Sequence, residues 1–452
     1  MQMKKKFNRN NLAAPQIITI GFATVIILGA LLLMLPISSQ TGEITSFIDA
    51  IFTATSATCV TGLTTLNTAE HWSLFGQVVI LIMIELGGLG FMSIPIFFYI
   101  VSKRKVNLST RMLLREAMNF DRTSGEVNLM WYVIKTAFVI QFLGFILLAV
   151  RFVPQFGMGE GLWYSLFHSV SSFCNAGFDL FGDSLASFQQ DPWVLSVVMF
   201  LVISGGLGFL VWYDVLHFKK GRRMTLHSRI ALWVTGSLLV GGFVLFFITE
   251  QNSGALVEGD FVSRTFNTMF MAVTPRTAGY ASIDYLHMSH AGLIVTMVLM
   301  FIGGTSGSTA GGLKTTTFGV LVIKIKSIFK GRSRAEFGDR TIREASVSRA
   351  LTLFFITLSL CIVGTFILCI TETIPAGSNV GMEYIAFEVV SAFGTVGISM
   401  GLTPSLTLIG KLVIIALMFI GRVGIMTVAF SMVVKGKKEA KIKYPDESVM
   451  IG

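Results

Sequence analysis

Charged side chains are scarce in this sequence. Only 13% of the 452 residues are Asp, Glu, Lys or Arg, whereas a soluble domain carries roughly 25%. Hydrophobic residues make up 53%, and the mean hydropathy is +0.73. Several apolar runs are about 20 residues long, which is the length that a helix needs to cross a bilayer. The composition therefore indicates a helical protein with several membrane spans and argues against a soluble enzyme.

Cysteine is scarce as well. The four cysteines, Cys59, Cys174, Cys361 and Cys369, have neither the pattern of a disulfide framework nor the spacing of a metal site, so we expect buried free thiols. The six histidines show no ligand-like spacing. The sequence also lacks a P-loop, a Rossmann fingerprint, an HExxH motif and a recurring nucleophile–base pair. These absences predict that the chain is not an enzyme and binds no organic cofactor.

The net charge of +10 has two interpretations. In a soluble protein it would suggest a nucleic-acid partner. In a membrane protein, Lys and Arg instead mark the loops on the cytoplasmic side, so we expect no nucleic-acid partner. The first apolar run, 17–35, follows a basic stretch and has no small-residue cleavage site. It is therefore predicted to be a retained membrane helix and not a signal peptide.

Eight long apolar runs form four pairs along the chain. Between the members of each pair lies a semi-apolar stretch of about 13 residues, which is too short to span and more typical of a re-entrant segment. The pattern predicts an all-α membrane protein with eight transmembrane helices and four re-entrant pore loops. The runs are 17–35, 77–101, 130–153, 195–213, 230–249, 292–302 continuing to 323, 350–371 and 409–433.

The four short stretches resemble one another. Each ends in a tripeptide whose last residue is glycine, and in three of them a Phe and a Ser recur at fixed distances before it. The third stretch has Met269 and Val273 at those two places. The tripeptides, named glycine loops 1 to 4 below, are Val60, Thr61 and Gly62; Asn175, Ala176 and Gly177; Thr277, Ala278 and Gly279; and Thr395, Val396 and Gly397.

A second glycine motif follows each glycine loop at nearly constant spacing. Two motifs in the same order, four times, indicate an internal repeat. The second motifs read "IELGGLGFM" (84–92), "VISGGLGFL" (202–210), "MFIGGTSGS" (300–308) and "MFIGRVGIM" (418–426). The predicted repeats, each a helix, a pore helix and a second helix, are residues 1–105, 106–220, 221–335 and 336–452.

Basic residues are distributed unevenly over the repeats. Of the 35 Lys and Arg residues, only Arg151, Arg264, Arg276 and Lys411 fall on the side opposite to the termini and the inter-repeat loops. The positive-inside rule then places the N-terminus, the C-terminus and the three inter-repeat loops in the cytoplasm.

The glycine loops suggest a pathway for a cation. A short helix that enters the membrane returns by a non-helical strand, whose carbonyl groups are tolerated there only inside protein or along a water-filled path. Four such strands around one axis would form a ring of carbonyl oxygens that replaces the hydration shell of a cation. Glycine suits such a loop because it permits a positive φ. The alternative is that the four glycines only allow close helix packing.

Residues 303–317, named the 303–317 segment below, contain five Gly and seven Ser or Thr in 15 residues. Glycine inside a helix costs about 1 kcal/mol relative to alanine, so the composition predicts a broken helix beside the pathway. Below the ring, this segment would obstruct the path and act as a gate; the alternative is a glycine-rich packing surface. The candidate gate residues are Gly303, Gly304, Thr305, Ser306, Gly307, Ser308, Thr309, Ala310, Gly311, Gly312, Lys314 and Arg422.

Arg422 stands where the other three second motifs have glycine, at Gly88, Gly206 and Gly304. An ionisable residue in the middle of a span predicts a function. Its donors could hold the carbonyls of a broken helix as part of the gate, or it could be a structural tie between helices.

Three further charged residues have open roles. Lys314 either belongs to the loop or extends towards the cytoplasm. Glu85 either packs against a neighbouring repeat or faces the pathway. Arg276 could tie the outer mouth to Glu388 or to another acid.

The motifs resemble the Trk/Ktr/HKT superfamily of potassium transporters, and within it the bacterial Ktr-type membrane subunit. The resemblance covers essentially the whole chain. It is carried by "LLLMLPIS" (31–38), "ATCVTGL" (57–63), "CNAGF" (174–178), "VTPRTAGY" (273–280), "SAFGTVGISMGLTP" (391–404), "MFIGRVG" (418–424) and "IKYPD" (442–446).

The resemblance implies four pseudo-fourfold units around one potassium pathway in the bacterial plasma membrane. Glycine in all four loops implies a preference for K+, and the 303–317 segment matches the intramembrane loop of the family. The resemblance also implies a homodimer on a cytoplasmic RCK/KTN-type ring of regulatory subunits that bind ATP or ADP, and some relatives imply stimulation by Na+. A secondary cation symporter with alternating access is the second interpretation, although repeats in a single orientation argue against it.

Overall fold

The computed structural model describes residues 14–89, 126–218, 224–251, 256, 260–374 and 381–432. The basic clusters at 103–105, 219–223 and 435–438, and the "IKYPD" motif, lie outside the described residues. The described helices are α1 (Ala14–Leu33), α2 (Phe47–Cys59), α3 (Thr68–His71), α4 (Leu74–Gly88), α5 (Glu126–Phe156), α6 (Met158–Cys174), α7 (Pro192–Gly206), α8 (Phe209–Leu216), α9 (Leu226–Thr249), α10 (Phe261–Val273), α11 (His290–Phe301), α12 (Thr315–Phe329), α13 (Glu344–Thr371), α14 (Met382–Gly394), α15 (Leu408–Val423) and α16 (Ile425–Met432).

Four of the described helices, α1, α5, α9 and α13, are individually long and apolar enough to cross a membrane. The pair α7 and α8, which is bent by 97° at its break, would make a fifth span. The protein is therefore a helical membrane protein, as the composition predicts. By length and composition, the described part of the chain has fewer than eight helices that could each cross a membrane. The arrangement with eight spans therefore stays a prediction.

The second helix of each pair is short because it breaks near the second glycine motif. Helix α4 ends at Gly88, α7 ends at Gly206 and α15 ends at Val423. Close contact with another helix explains why glycine is needed there. A Cβ added to Gly87 would overlap the carbonyl oxygen of Thr58, and one added to Gly205 would overlap that of Phe173. These glycines therefore let the second helix touch the C-terminal end of the preceding short helix.

Each short helix packs against the two helices that flank it in sequence and against one helix from another pair. Helix α6 contacts α4, α10 contacts α7, α14 contacts α11, and α2 contacts α15. The last contact joins the end of the described chain to its beginning. The four short helices are thus connected in a closed cycle.

A two-stranded hairpin follows α12. Strand β1 (Glu336–Phe337) pairs antiparallel with β2 (Arg340–Thr341), with Glu336 opposite Thr341 and Phe337 opposite Arg340. A small cluster of buried apolar residues fastens this region to α9, α12 and α13: Ile230, Val234, Ile323, Ala335, Ile342 and Val347.

The cysteines are free, as expected, but not all are buried. Cys59, Cys174 and Cys361 are buried, whereas Cys369 is exposed. The expectation of a buried thiol is therefore wrong for Cys369, which lies on the outer surface of the long apolar helix α13.

One ion pair joins the fourth short-helix region to the first. Lys411 on α15 donates to Asp49 in the first turn of α2 at 2.8 Å, and the two side chains are only 15% and 18% exposed. Ser46 also donates to Asp49, at 3.0 Å. The pair therefore joins α15 to α2, which is the contact that closes the cycle of helices.

We expect Lys411→Met to lower the melting temperature of the purified protein, because the nearly buried carboxylate of Asp49 loses its cation. A lost hydrogen bond to a charged group costs about 2 kcal/mol. The double variant Asp49→Asn, Lys411→Met removes the stranded charge and should recover part of the loss. Equal melting temperatures for the single and double variants would show that the pair does not hold the cycle.

Candidate functional site

Each short helix leads into a glycine loop with left-handed backbone. In α2, α6 and α14 the first loop residue is the helix C-cap, whereas α10 ends at Val273 and three residues precede its loop. The left-handed conformation costs a non-glycine residue roughly 1–2 kcal/mol, so the surrounding contacts must hold it. The positive φ angles are 58° and 96° in loop 1 (Val60, Gly62), 62° and 68° in loop 2 (Asn175, Gly177), 70° and 83° in loop 3 (Thr277, Gly279), and 50° and 96° in loop 4 (Thr395, Gly397).

The four glycine loops adjoin one another in a ring. A Cβ added to Gly62 would lie 2.6 Å from the carbonyl oxygen of Ala176, and one added to Gly177 would lie 3.0 Å from that of Ala278. A Cβ added to Gly279 would likewise overlap the carbonyl oxygen of Val396, and one added to Gly397 would overlap that of Thr61. Each glycine therefore faces the middle carbonyl of the next loop, and the last loop closes on the first.

The middle residue of each loop turns its N–H towards the preceding short helix. The N–H groups of Thr61, Ala176, Ala278 and Val396 donate to backbone carbonyls of that helix or its C-terminal end at 2.8 to 3.0 Å. Within the described part of the chain, the carbonyl oxygens of these four residues accept no hydrogen bond. Four carbonyl oxygens are thus left available at the ring.

Serine hydroxyls support loops 1 and 4 from behind. Ser56 accepts a hydrogen bond from the N–H of Gly62, and Ser391 accepts one from the N–H of Gly397, each at 3.1 Å. These are two of the serines that recur six residues before the loop glycine. In these two loops the serine therefore has a physical role, because its hydroxyl fixes the glycine that follows.

A hydroxyl also supports loop 3, but it belongs to a residue that aligning the four repeats by their glycines does not pick out. The aligned position is Val273, but Thr274 beside it donates from its hydroxyl to the carbonyl of Tyr280 at 2.5 Å. In loop 2, Ser171 donates in the same way to the carbonyl of Phe178 at 2.8 Å. The sequence does contain a signal for this residue, because a hydroxyl-bearing residue follows directly after Val273.

We expect Thr274→Val to lower the melting temperature, because it keeps the shape of the side chain and leaves the buried carbonyl of Tyr280 without its donor. The cost of one such hydrogen bond is about 1 kcal/mol. The matched control is Thr265→Val on α10, the helix that ends just before Thr274, because the hydroxyl of Thr265 donates only to Phe261 within that helix. Equal losses in the two variants would contradict a supporting role for Thr274.

The chain is not helical from 302 to 314, between α11 and α12, so the break that the composition of the 303–317 segment predicts is present, while the last three residues of the segment form the start of α12. Backbone hydrogen bonds tie it to the break after α7: Thr305 donates to Gly206 at 3.0 Å, and Phe209 donates to Gly307 at 2.9 Å. The hydroxyl of Thr309 donates to the carbonyl of Phe173 at 3.2 Å. The segment is thus a folded loop and not a frayed helix end.

The same segment also touches glycine loop 4. A Cβ added to Gly311 would overlap the side chain of Thr395, and one added to Gly312 would lie 3.3 Å from the backbone of Gly394. The 303–317 segment therefore lies directly against the residues that form the ring.

Arg422 fastens the segment to α4. Its guanidinium donates to the carbonyl of Thr309 in the segment and to the carbonyls of Gly87 and Gly88, the last at 3.0 Å. Lys314 donates to the carbonyl of Ala310 at 2.6 Å. Lys314 thus belongs to the loop, which is the first of its two predicted alternatives.

Glu85 is held by the neighbouring pair of helices. One carboxylate oxygen accepts from Gln141 of α5 at 2.9 Å and from the thiol of Cys174 at 3.3 Å, while its other oxygen is buried without a hydrogen-bond partner. These contacts fit the packing interpretation. The pairing with Gln141 was not predicted, because spacing along the chain does not show which helices adjoin.

The suggested tie between Arg276 and Glu388 is wrong. Arg276 donates to the hydroxyl of Thr235 at 3.4 Å, behind its own loop. Glu388 instead accepts from Ser399 at 2.7 Å and from Thr403. Hydroxyls that follow loop 4 in sequence therefore satisfy Glu388, and none of the described acids pairs with Arg276.

Asp179 brings a carboxylate close to the exit of glycine loop 2. It accepts hydrogen bonds from the backbone N–H groups of Phe181 at 3.0 Å and of Gly182 at 2.6 Å. Burial raises the pKa of Asp179, and the N–H groups of Gly182 and Phe181 oppose that shift. The two N–H groups thus hold the carboxylate in place within the turn that follows loop 2.

Comparison with known proteins gives the family. The family model described as "TrkH: Cation transport protein" matches residues 2–444. The potassium/sodium uptake protein NtpJ of Enterococcus hirae is 60% identical over 453 residues, covering 100% of both chains. The Ktr system potassium uptake protein B of Bacillus subtilis is 41% identical, covering 97% of this chain and 96% of that protein.

A solved structure has a similar fold. The potassium transporter TrkH from Vibrio parahaemolyticus superposes with a TM-score of 0.69, covering 95% of this chain and 86% of that chain, at 17% sequence identity. The resemblance to the Trk and Ktr transporters that the sequence motifs carry is confirmed by the family match and by the two relatives. The chain belongs to the TrkH family of cation transport proteins, and it is accordingly a membrane transporter and not an enzyme.

Proposed function

We propose that this chain is the ion-translocating membrane subunit of a potassium uptake system, and that K+ passes through the ring of glycine loops. The observation that carries the proposal is the set of four middle carbonyls that adjoin the next loop and accept no hydrogen bond from any described residue. Such carbonyls replace the hydration shell of K+. The relative from Enterococcus hirae is named a potassium/sodium uptake protein and that from Bacillus subtilis a potassium uptake protein, so both names support K+.

The short helices supply part of the electrostatics in this proposal. Helices α2, α6 and α14 end at the first residue of their loops. The C-terminal end of a helix carries a partial negative charge. Three such ends directed at the space next to the ring favour a cation there.

The gate in this proposal is the 303–317 segment together with Arg422. The segment touches glycine loop 4, and Arg422 holds its Thr309 carbonyl against α4. Release of these contacts would let the segment move away from the ring. The positive charge of Arg422 would meanwhile oppose the entry of a cation.

The proposed organisation has four units, residues 1–105, 106–220, 221–335 and 336–452, with both termini in the cytoplasm of a bacterium. The closed cycle of short-helix contacts supports the fourfold arrangement. The relative from Bacillus subtilis is named as part of a Ktr system. We therefore include a homodimer and a cytoplasmic regulatory ring that binds ATP or ADP, and Na+ as a second or stimulating ion.

Complementation of a bacterium that lacks potassium uptake tests the proposal. We expect the chain, expressed with a regulatory ring subunit, to restore growth at limiting potassium. Absence of growth with and without that subunit would overturn the potassium function.

Flux in liposomes separates a channel-like pathway from a symporter. We expect a potassium gradient alone to drive uptake through the purified protein. Uptake that requires an opposing or accompanying gradient of Na+ or H+ would instead indicate alternating access.

A further inference from the structure

A cavity of about 470 Å³ lies beside the 303–317 segment. Its walls come from the beginning of α1, the beginning of α13, the end of α15 and the segment itself. Cavities that bind small organic molecules have volumes of about 300–1,000 Å³. This cavity is therefore large enough for an organic ligand and much larger than a single cation requires.

The cavity is lined by basic side chains. Lys314, Arg349 and Arg422 all line it, and none of the described residues in its lining is an Asp or a Glu. Lys314 and Arg422 are half-buried, whereas Arg349 is exposed. The repulsion is therefore strongest between Lys314 and Arg422, where the local dielectric constant is lower than in water. A ligand that carries negative charge would relieve this repulsion.

Two of these side chains have hydrogen-bond donors to spare. The side chain of Arg349 makes no hydrogen bond or ion pair with another described residue, although it has five N–H donors. Lys314 uses one donor for the carbonyl of Ala310. Arg422, by contrast, is committed to three carbonyls. Arg349 and Lys314 are thus the side chains that can bind an anion.

Part of the cavity lining is apolar. Ile18 and Phe22 of α1 and Leu353 of α13 line it, and Ile18 and Phe22 are each only 6% exposed. Two hydroxyls of the segment, on Ser306 and Ser308, line the cavity as well. The cavity therefore matches a ligand with a phosphate group at one end and a less polar body.

We propose that this cavity is a binding site for a phosphate-bearing anion, held by Arg349 and Lys314. Its source is either the headgroup of an anionic lipid or a small soluble organic phosphate. Basic pockets between membrane helices on the cytoplasmic side bind such headgroups, and this end of the molecule is cytoplasmic in the orientation proposed above. The bound anion also offsets the positive charge of Lys314 and Arg422 beside the segment. Binding of the anion would therefore change how strongly the proposed gate opposes a cation.

The test measures binding to the purified full-length protein and does not require ion flux. Glycerol 3-phosphate is the soluble probe, read as a shift in melting temperature. Phosphatidylglycerol, compared with phosphatidylcholine, is the lipid probe, read as retained lipid in native mass spectrometry. A failure of binding is therefore distinguishable from a failure of the proposed potassium function.

The variants are Arg349→Gln and Lys314→Gln, with Arg349→Lys as a variant that keeps the charge. Each Gln variant should weaken binding by about 10-fold, the value of one charge-assisted hydrogen bond, and Arg349→Lys should retain most of it. Lys135→Gln is the matched control, because Lys135 is an exposed cation on α5 that does not line the cavity.

The outcomes decide the source as well as the site. A shift with glycerol 3-phosphate that Arg349→Gln weakens by about 10-fold in affinity assigns a soluble phosphate. Selective retention of phosphatidylglycerol that Arg349→Gln weakens, without a shift by glycerol 3-phosphate, assigns a lipid headgroup. No binding of either probe, or binding that Arg349→Gln and Lys314→Gln reduce no more than Lys135→Gln, overturns the proposal.

Discussion

Gly397→Ser should lower potassium uptake and the preference for potassium over sodium by about 10-fold or more, which corresponds to about 1.4 kcal/mol. Gly397 has a φ of +96°, and an added Cβ would overlap the carbonyl oxygen of Thr61. That oxygen is one of the four free carbonyls at the ring. Serine must therefore displace either loop 4 or loop 1, and the displacement changes the distances that discriminate between ions.

Gly401→Ser is the matched control for this variant. Gly401 has a φ of +93°, almost the same as that of Gly397, but nothing lies within 4 Å of an added Cβ. Both variants carry the strain of a left-handed serine, roughly 1–2 kcal/mol. Only Gly397→Ser adds the overlap at the ring, so the difference between the two variants isolates the effect of the ring.

The measurement is the initial rate of potassium uptake at equal expression, with and without competing sodium, in cells that lack their own uptake systems. We expect Gly401→Ser to resemble the original protein in both rate and ion preference. If Gly397→Ser keeps the same rate and the same preference as Gly401→Ser, glycine loop 4 does not form part of the pathway.

The order of helices and loops could be predicted from the sequence because glycines occur where a helix ends or is interrupted. The loop glycines, such as Gly62 and Gly177, require a positive φ, and five glycines in the 303–317 segment are incompatible with a spanning helix. Both signals are local. They depend on the conformation of single residues and need no knowledge of which helices adjoin.

The side-chain partners could not be predicted in the same way. Arg276 and Glu388 are both next to glycine loops and carry opposite charge, yet Arg276 turns towards Thr235 and Glu388 binds Ser399. Spacing along a chain gives the distance between residues in sequence and not the direction of a side chain. For the same reason the pair of Lys411 and Asp49, which are 362 residues apart, was not foreseen.

The support of loop 3 by Thr274 shows a third limit. Aligning the repeats by their glycines assumes that every short helix ends at the same place. Helix α10 ends at Val273, and Thr274, Pro275 and Arg276 precede the loop. The supporting hydroxyl is therefore displaced by one residue from the aligned position, Val273, and an alignment of the glycines alone does not find it.

Arg422→Ala should raise potassium flux through the purified protein by several-fold or more. The variant removes the donors that hold the Thr309 carbonyl of the segment to the Gly87 and Gly88 carbonyls of α4. A hydrogen bond to a charged group contributes about 1.5–3 kcal/mol. A shift of only 1.4 kcal/mol in the equilibrium between closed and open segments changes the open population by about tenfold, as long as the open state is the minor one.

Arg422→Lys separates the two ways in which Arg422 could restrict flux. Lysine keeps the positive charge but has a single ammonium group in place of the planar fork, so it cannot bridge the segment and α4 in the same way. If the charge itself is the barrier, Arg422→Lys should have the flux of the original protein. Because the structure shows a bridge between backbone carbonyls, we expect Arg422→Lys to resemble Arg422→Ala.

The flux is best measured in liposomes that contain the purified protein alone, with a potassium gradient as the driving force. Without a regulatory partner, the segment is expected to be mostly closed in the original protein, which leaves room for an increase. A flux in Arg422→Ala equal to that of the original protein, together with unchanged regulation when the partner is added, would contradict the gate. Arg422 would then be a tie between helices, the alternative that its position in mid-span also allows.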